Sequence, residues 1–175
     1  MIKIDSNNEF LIQRISSLFF QKNKFYNSQN DTNYLVKIFI NQSNGNLKVN
    51  LVDQALQFKL PITFNKLFND IQPILQQKKI IFDNFVFFPF QQEVVSNNTR
   101  IRLNFIHCLV LQTVCINLKE GAAKEYLYHK LWPQDKVLQL NKLDTHLTNL
   151  KNLFQEKLNV KIIFKSEKSF IKLVN

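Results

Sequence analysis

Apolar residues recur at three- and four-residue spacing in three stretches, and this spacing predicts helices there. The clearest stretch has apolar residues at positions i, i+4, i+7 and i+11, which form a single stripe and predict a helix over 141–157. The same spacing predicts helices over 8–22 and 64–75, and two further helices are predicted over 105–117 and 123–132. Ser6-Asn7-Asn8 and Asn104 stand where N-caps are expected, and Pro133 is expected to end the helix over 123–132.

Short alternating or continuous apolar runs predict strands on either side of these helices. In the first half they cover 1–5, 34–40 and 47–52, and Asn44-Gly45 between the last two predicts a tight antiparallel hairpin. In the second half they predict a meander of strands over 81–88, 93–95 and 101–103. A final pair, 160–164 and 170–174, is joined by a polar turn.

The order of the elements predicts two domains of different class. A polar, basic link over 76–79 is the expected boundary, so the domains are 1–78 and 79–175. The first is predicted to be a small α/β domain. The second is predicted to be an α+β domain with strands, three helices and a hairpin, which is the layout of a winged helix-turn-helix.

Composition and charge narrow the class of protein. The chain has 175 residues, 45% of them hydrophobic, so a packed core is expected rather than disorder. Its apolar runs are too interrupted to span a bilayer and its N-terminus lacks a signal-peptide core, which predicts a cytoplasmic protein without a membrane partner. The net charge is +10, but 20 of the 23 basic residues are Lys, a bias that an AT-rich genome also produces. The placement of the charges is therefore more informative than their number.

The predicted helix over 141–157 carries a polar face beside its apolar stripe. Five residues of this face suit contacts with phosphates and base edges: Lys142, Thr145, His146, Asn149 and Asn152. An ordinary solvated helix face explains the same pattern. Its setting before a basic hairpin favours DNA, because residues 139–175 hold seven Lys against three acidic residues.

A family resemblance supports this interpretation. Residues 124–127, Lys-Glu-Tyr-Leu, with 131–133, Leu-Trp-Pro, and 143–151, Leu-Asp-Thr-His-Leu-Thr-Asn-Leu-Lys, resemble the OmpR/PhoB-type winged-helix domain of bacterial response regulators. The resemblance implies duplex DNA as the partner, homodimers on repeated half-sites, and a loop over 133–139 that meets RNA polymerase. The DNA contacts that follow from the polar face, the resemblance and the wing are Lys142, Thr145, His146, Asn149, Lys151, Asn152, Lys165 and Lys168.

The first half resembles a truncated receiver domain, with Lys59-Leu60-Pro61 similar to the turn before the last receiver helix. A complete receiver has five strand–helix units and needs roughly 100 residues, which are not available here. Its acidic pair is half lost because Ser6 follows Asp5, and Asp53 lies too close to Lys59 to be an acceptor. We therefore predict no phosphoacceptor, so that regulation does not depend on phosphorylation.

No other chemistry emerges from the sequence. Cys108 and Cys115 are expected to be core thiols, and the three His residues have no metal-ligand spacing. The chain is thus predicted to be a non-enzymatic transcriptional regulator with no metal, cofactor or catalytic residue. The alternative is a winged helix that has lost DNA affinity and binds another protein, because Asn149, Asn152 and Leu153 stand where the family is often basic.

Overall fold

The computed structural model describes residues 2–23, 34–51 and 54–174, and it divides into two compact units, Met1–Gln77 and Lys78–Asn175. The described residues of unit 1 form four strands and two helices: β1 Ile2–Ser6, α1 Glu9–Asn23, β2 Val36–Ser43, β3 Asn46–Leu51, β4 Gln54–Lys59 and α2 Phe64–Gln76. The strands form one sheet in the order β1-β2-β3-β4. β1 and β2 are parallel and the other two pairs are antiparallel.

Local signals in unit 1 explain its elements. The Asn8 side chain accepts hydrogen bonds from the backbone N–H groups of Phe10 and Leu11, at 3.0 and 3.4 Å, and begins α1. Asn44 and Gly45 have φ of 45° and 73°, which asparagine and glycine tolerate, and they turn β2 into β3 as predicted. The sheet is therefore mixed, with one parallel pair, and differs from the all-parallel sheet of a receiver.

Unit 2 holds two small sheets and three helices. Its elements are β5 Ile80–Ile81, β6 Val86–Phe88, β7 Glu93–Ser96, β8 Thr99–Arg102, α3 Phe105–Ile116, β9 Ala122–Ala123, α4 Lys124–Leu131, α5 Leu140–Leu158, β10 Ile163–Glu167 and β11 Phe170–Val174. β5 to β8 form an antiparallel meander, and β9 pairs with β11 to give a second sheet in the order β10-β11-β9. The predicted order of strands, three helices and hairpin is confirmed, except that the short strand β9, which was not predicted, lies between α3 and α4.

Two predicted strands of unit 2 differ from the structure. The stretch predicted as one strand over 81–88 is two strands, because the chain turns between them and Phe82 N–H donates to the Phe85 carbonyl at 2.9 Å. The strand predicted over 160–164 begins only at Ile163. Val160 instead follows the left-handed cap Asn159, and its N–H donates to the Phe154 carbonyl, which closes the end of α5.

The core of unit 2 forms around α3 and α5. The side chains of α3 are buried on every side from His107 to Cys115, and the Asn104 side chain caps the helix by accepting a hydrogen bond from His107 N–H at 2.8 Å. On α5, the predicted stripe of Leu143, Leu147, Leu150 and Phe154 is buried. Because that stripe faces the core, the polar residues of α5 lie toward its other sides.

Candidate nucleic-acid interface

The side of α5 opposite its buried stripe carries small polar side chains. Thr145, Asn149 and Asn152 recur at spacings of four and three residues, so they lie on one side of the helix, and all three are exposed. The Thr145 hydroxyl donates to the Asn141 carbonyl at 2.9 Å, one turn earlier. The amides of Asn149 and Asn152 offer donors and acceptors that match base edges and phosphate oxygens.

Lys142, at the start of the same helix, is held against its own protein. Its ammonium lies 2.9 Å from the Asp135 carboxylate and 4.2 Å from the centre of the Trp132 ring. Asp135 also accepts a hydrogen bond of 2.6 Å from the Tyr128 hydroxyl. The hydrogen bond from Tyr128, and then that from Lys142, lower the pKa of Asp135 below its usual value. Lys142 therefore fixes the loop between α4 and α5 as well as lying at the edge of the polar side.

His146 packs against other rings. Its ring centre lies 5.4 Å from that of Trp132 and 5.9 Å from that of His107 on α3. His146 Nδ1 and both ring nitrogens of His107 are buried, with no hydrogen-bond partner among the described residues. Burial lowers the pKa of both histidines, with smaller contributions from His146 on His107 and from Lys142 on His146. Both rings are thus neutral at pH 7, and His146 serves the packing of α5.

Lys151 is not brought together with Asn149. The two residues are two positions apart, which is a rotation of about 200° around the helix. Lys151 is half-buried. It therefore lies away from the side that Thr145, Asn149 and Asn152 share.

The terminal hairpin carries its basic residues in a specific arrangement. Lys165 lies directly opposite Lys172 in the antiparallel pair of β10 and β11, where like charges oppose one another. Glu167 forms an ion pair with Lys165 and offsets this repulsion, and the pair raises the pKa of Lys165 while it lowers that of Glu167. Lys168 occupies the exposed turn with φ of 53°. The hairpin thus presents cations that an added anion would stabilise.

The sequence did not indicate Lys172 as a candidate for DNA contact. Its stem lies over Gly121, where an added Cβ would meet Lys172 Cγ at 2.8 Å, so this packing requires glycine. The pairing of Lys165 with Lys172 follows from a two-residue loop at Lys168-Ser169. The sequence predicts a polar turn over 166–169 and does not indicate which two of these four residues form the loop.

An acidic residue at the start of α5 is also paired. Asp144 lies 3.4 Å from the ammonium of Lys124, the first residue of α4. The ion pair joins the beginnings of the two helices and offsets the negative charge of Asp144. This leaves Glu156, near the other end of α5, as an exposed acid on the same helix.

The remaining candidate chemistry can be located in part. Cys108 and Cys115 are buried free thiols, and burial raises the pKa of Cys108 to about 12 and raises that of Cys115 further. Asp5 pairs with Lys37 at 2.7 Å, and Asp53 lies outside the described residues. Within the described part of the chain, no group of three His, Cys, Asp or Glu residues is placed to hold a metal, and no helix is long and apolar enough to cross a membrane.

Several solved structures of known proteins are similar to this chain, among them a DNA-binding domain and a redox sensor. The chain matches no protein-family profile, and its sequence has no significant match among curated proteins. It is similar to the DNA-binding domain of E. coli CadC, with a TM-score of 0.47 and 14% identity, over 57% of this chain and 94% of that domain. It is also similar to a member of a family of streptococcal redox sensors that evolved from two-component response regulators. That likeness has a TM-score of 0.40 and 15% identity, over 99% of this chain and 65% of the other.

Proposed function

We propose that unit 2 is a winged helix-turn-helix of the OmpR/PhoB type and that the chain is a non-enzymatic, DNA-binding transcriptional regulator. The observation that carries this proposal is the exposed row of Thr145, Asn149 and Asn152, on the helix that directly precedes a basic hairpin. A helix of this kind fits the major groove of B-DNA, and the hairpin then approaches the phosphates beside it.

Each proposed contact has a different role. The amides of Asn149 and Asn152 read base edges or hold phosphates, and Lys168 at the tip of the hairpin meets the backbone. Lys165 is available to a phosphate when Glu167 yields its ion pair, and Lys172 lies directly opposite Lys165 in the hairpin. Regulation through a homodimer, without phosphorylation of unit 1, completes the proposal.

The test is a titration of labelled duplexes by fluorescence anisotropy at several salt concentrations. We expect binding that weakens steeply with salt, because lysines that meet phosphates release counterions. The double variant Asn149→Asp and Asn152→Asp places two anions against the groove and is expected to abolish binding. Asn97→Asp with Asn98→Asp is the matched control, since both residues lie in the exposed turn between β7 and β8. Equal losses in the two double variants would contradict the proposed interface.

A second candidate function is a protein-binding module. It is favoured by the loop before α5, in which Val137 and Leu138 are 67% and 40% exposed, with Leu140 also exposed at the first turn of the helix. Exposed apolar residues so close together are typical of contact sites for other proteins. If purified chain binds no duplex at low salt, and Val137→Ser with Leu138→Ser abolishes binding to RNA polymerase, this function replaces the first.

A further inference from the structure

The sheet of unit 1 has one covered face and one open face. Alternate residues of β1, β2 and β3 are buried, and the rings of Phe19 on α1 and Phe68 on α2 lie 5.2 Å apart, so both helices pack on the buried side. The strand residues that alternate with the buried ones lie on the opposite face of the sheet. That open face carries four lysines and one large aromatic side chain: Lys3, Lys37, Lys48, Lys59 and Phe39.

The open face is positively charged by its register. Lys3 and Lys37 are cross-strand neighbours on the parallel strands β1 and β2, and Lys48 and Lys59 are exposed on β3 and β4. Within the described strands, Asp5 is the one acidic residue on this face, and it pairs with Lys37 at 2.7 Å. Lysines placed side by side repel one another, so this arrangement is stabilised by a polyanion.

Phe39 lies near the middle of this face. It is 43% exposed on β2, between its cross-strand neighbours Asp5 and Asn50. The ammonium of Lys37 lies 4.2 Å from the centre of its ring. An exposed aromatic ring in the middle of an open sheet is a platform on which a base stacks.

We propose that the open face of unit 1 binds single-stranded DNA. Phe39 stacks on a base, Lys37, Lys48 and Lys59 track the phosphates, and the amides of Asn50 and Gln57 on the same face pair with base edges. DNA is chosen over RNA because the proposed function places this chain on DNA, and in that respect alone this inference rests on it.

Other occupants fit the face less well. A second copy would bring two lysine-rich faces together, which charge repulsion opposes. An anionic membrane needs apolar side chains to insert, and within the described strands Phe39 is the one large apolar residue on this face. A lysine-rich surface with an exposed aromatic ring is the combination by which proteins bind single-stranded nucleic acid.

The experiment uses the full chain and a labelled dT20 oligonucleotide, with fluorescence anisotropy as the readout. Phe39→Ala is expected to weaken binding roughly 5- to 150-fold, the range for loss of one stacked base. Lys48→Ala with Lys59→Ala should reduce the salt slope by about 1.4, which corresponds to two phosphate contacts on a single strand. The matched controls Phe10→Ala and Lys66→Ala change exposed residues on α1 and α2 and should leave binding unchanged.

Further arms separate the alternatives. The double variant Asn149→Asp with Asn152→Asp, which is expected to lose duplex binding, should keep full affinity for dT20. A failure of one proposal is therefore distinguished from a failure of the other. Unchanged melting temperatures show that each variant folds. The inference is overturned by no binding to dT20, by equal losses in the controls, by tighter binding to rU20, or by Phe39-dependent binding to phosphatidylglycerol vesicles in place of DNA.

Discussion

The ammonium of Lys142 and the carboxylate of Asp135 lie 2.9 Å apart, and this ion pair ties the first turn of α5 to the loop that precedes it. The pair is extended by the Tyr128 hydroxyl, which donates to the same carboxylate oxygen at 2.6 Å. Side chains from α4 and α5 therefore both contact one carboxylate oxygen of the loop residue Asp135. A residue that the sequence presents as a DNA contact thus also serves the internal structure of unit 2.

Replacement of Lys142 is expected to affect stability as well as DNA affinity. Lys142→Ala removes the ion pair with Asp135 and the contact with the Trp132 ring, so we expect a melting temperature lower by roughly 5 °C. Lys136→Ala is the control, because Lys136 is an exposed lysine of the same loop. Differential scanning calorimetry of both variants would contradict this reasoning if their melting temperatures fell equally.

Removal of the Glu167 charge is expected to strengthen binding to duplex DNA. Glu167→Gln releases Lys165 from its ion pair, so that Lys165 is available to a phosphate. Each added phosphate contact steepens the salt dependence by about 0.9. Glu120→Gln makes the same change in charge in the exposed segment after α3. A steeper slope for both variants would attribute the effect to net charge rather than to the hairpin.

The stability of the chain is expected to decrease in mild acid. His107 and His146 are held neutral by burial, so their folded pKa values lie below the unfolded value of 6.5. Between the folded and the unfolded pKa of each histidine, the unfolded state binds more protons, so the free energy of unfolding falls as the pH falls. The stabilising contribution is complete above about pH 6.5 and is lost progressively below it.

Denaturant titrations at pH 8, 7, 6 and 5 measure this effect. His107→Phe keeps a ring of similar size in the buried position and removes the titrating group, so its stability should vary less with pH. His129→Gln is the control, because His129 is exposed and lies 3.9 Å from Glu125 on the surface of α4. If His107→Phe and the parent chain lost stability in parallel, the histidine pair would not be the cause.

The two thiols are expected to be unreactive in the native state. Cys108 and Cys115 are buried, and burial raises the pKa of Cys108 to about 12, so almost no thiolate is present at pH 8. Reaction with Ellman's reagent should therefore proceed only as fast as the chain unfolds. A Ser17→Cys variant, exposed on α1, supplies a fast-reacting reference thiol. Labelling of the native thiols at the reference rate would show that they are accessible.

The local elements of this protein could be predicted from its sequence. Asn104 begins α3 because its side chain accepts a hydrogen bond within four residues of chain, and Asn44-Gly45 turns a hairpin because both residues tolerate positive φ. The stripe of α5 was predictable because burial of one helix face repeats every 3.6 residues. The missed break between β5 and β6 falls at Asp83-Asn84, two polar residues that are typical of turns, so the prediction of one strand over 81–88 overlooked a local signal.

The candidate sites depend on contacts that no local pattern encodes. His107 and His146 are 39 positions apart and become neighbours only when α3 packs on α5. The sequence places Lys142 on the polar part of the helix whether or not its side chain has a partner. Only the approach of Asp135 and Trp132 decides that its ammonium is bound within the protein. Likewise, β9 is two residues long and exists because β11 pairs with it.

The periodicity, the caps and the turns follow from the order of the amino acids, because they depend on interactions within a few residues along the chain. The sequence therefore predicts the order of the five helices and the apolar stripe of α5, but not β9, which exists through its pairing with β11. The tertiary structure alone decided which polar side chains are paired, which are buried without partners and which remain exposed. Those outcomes depend on which distant elements meet, and the free energy of that packing is shared among residues far apart in the chain.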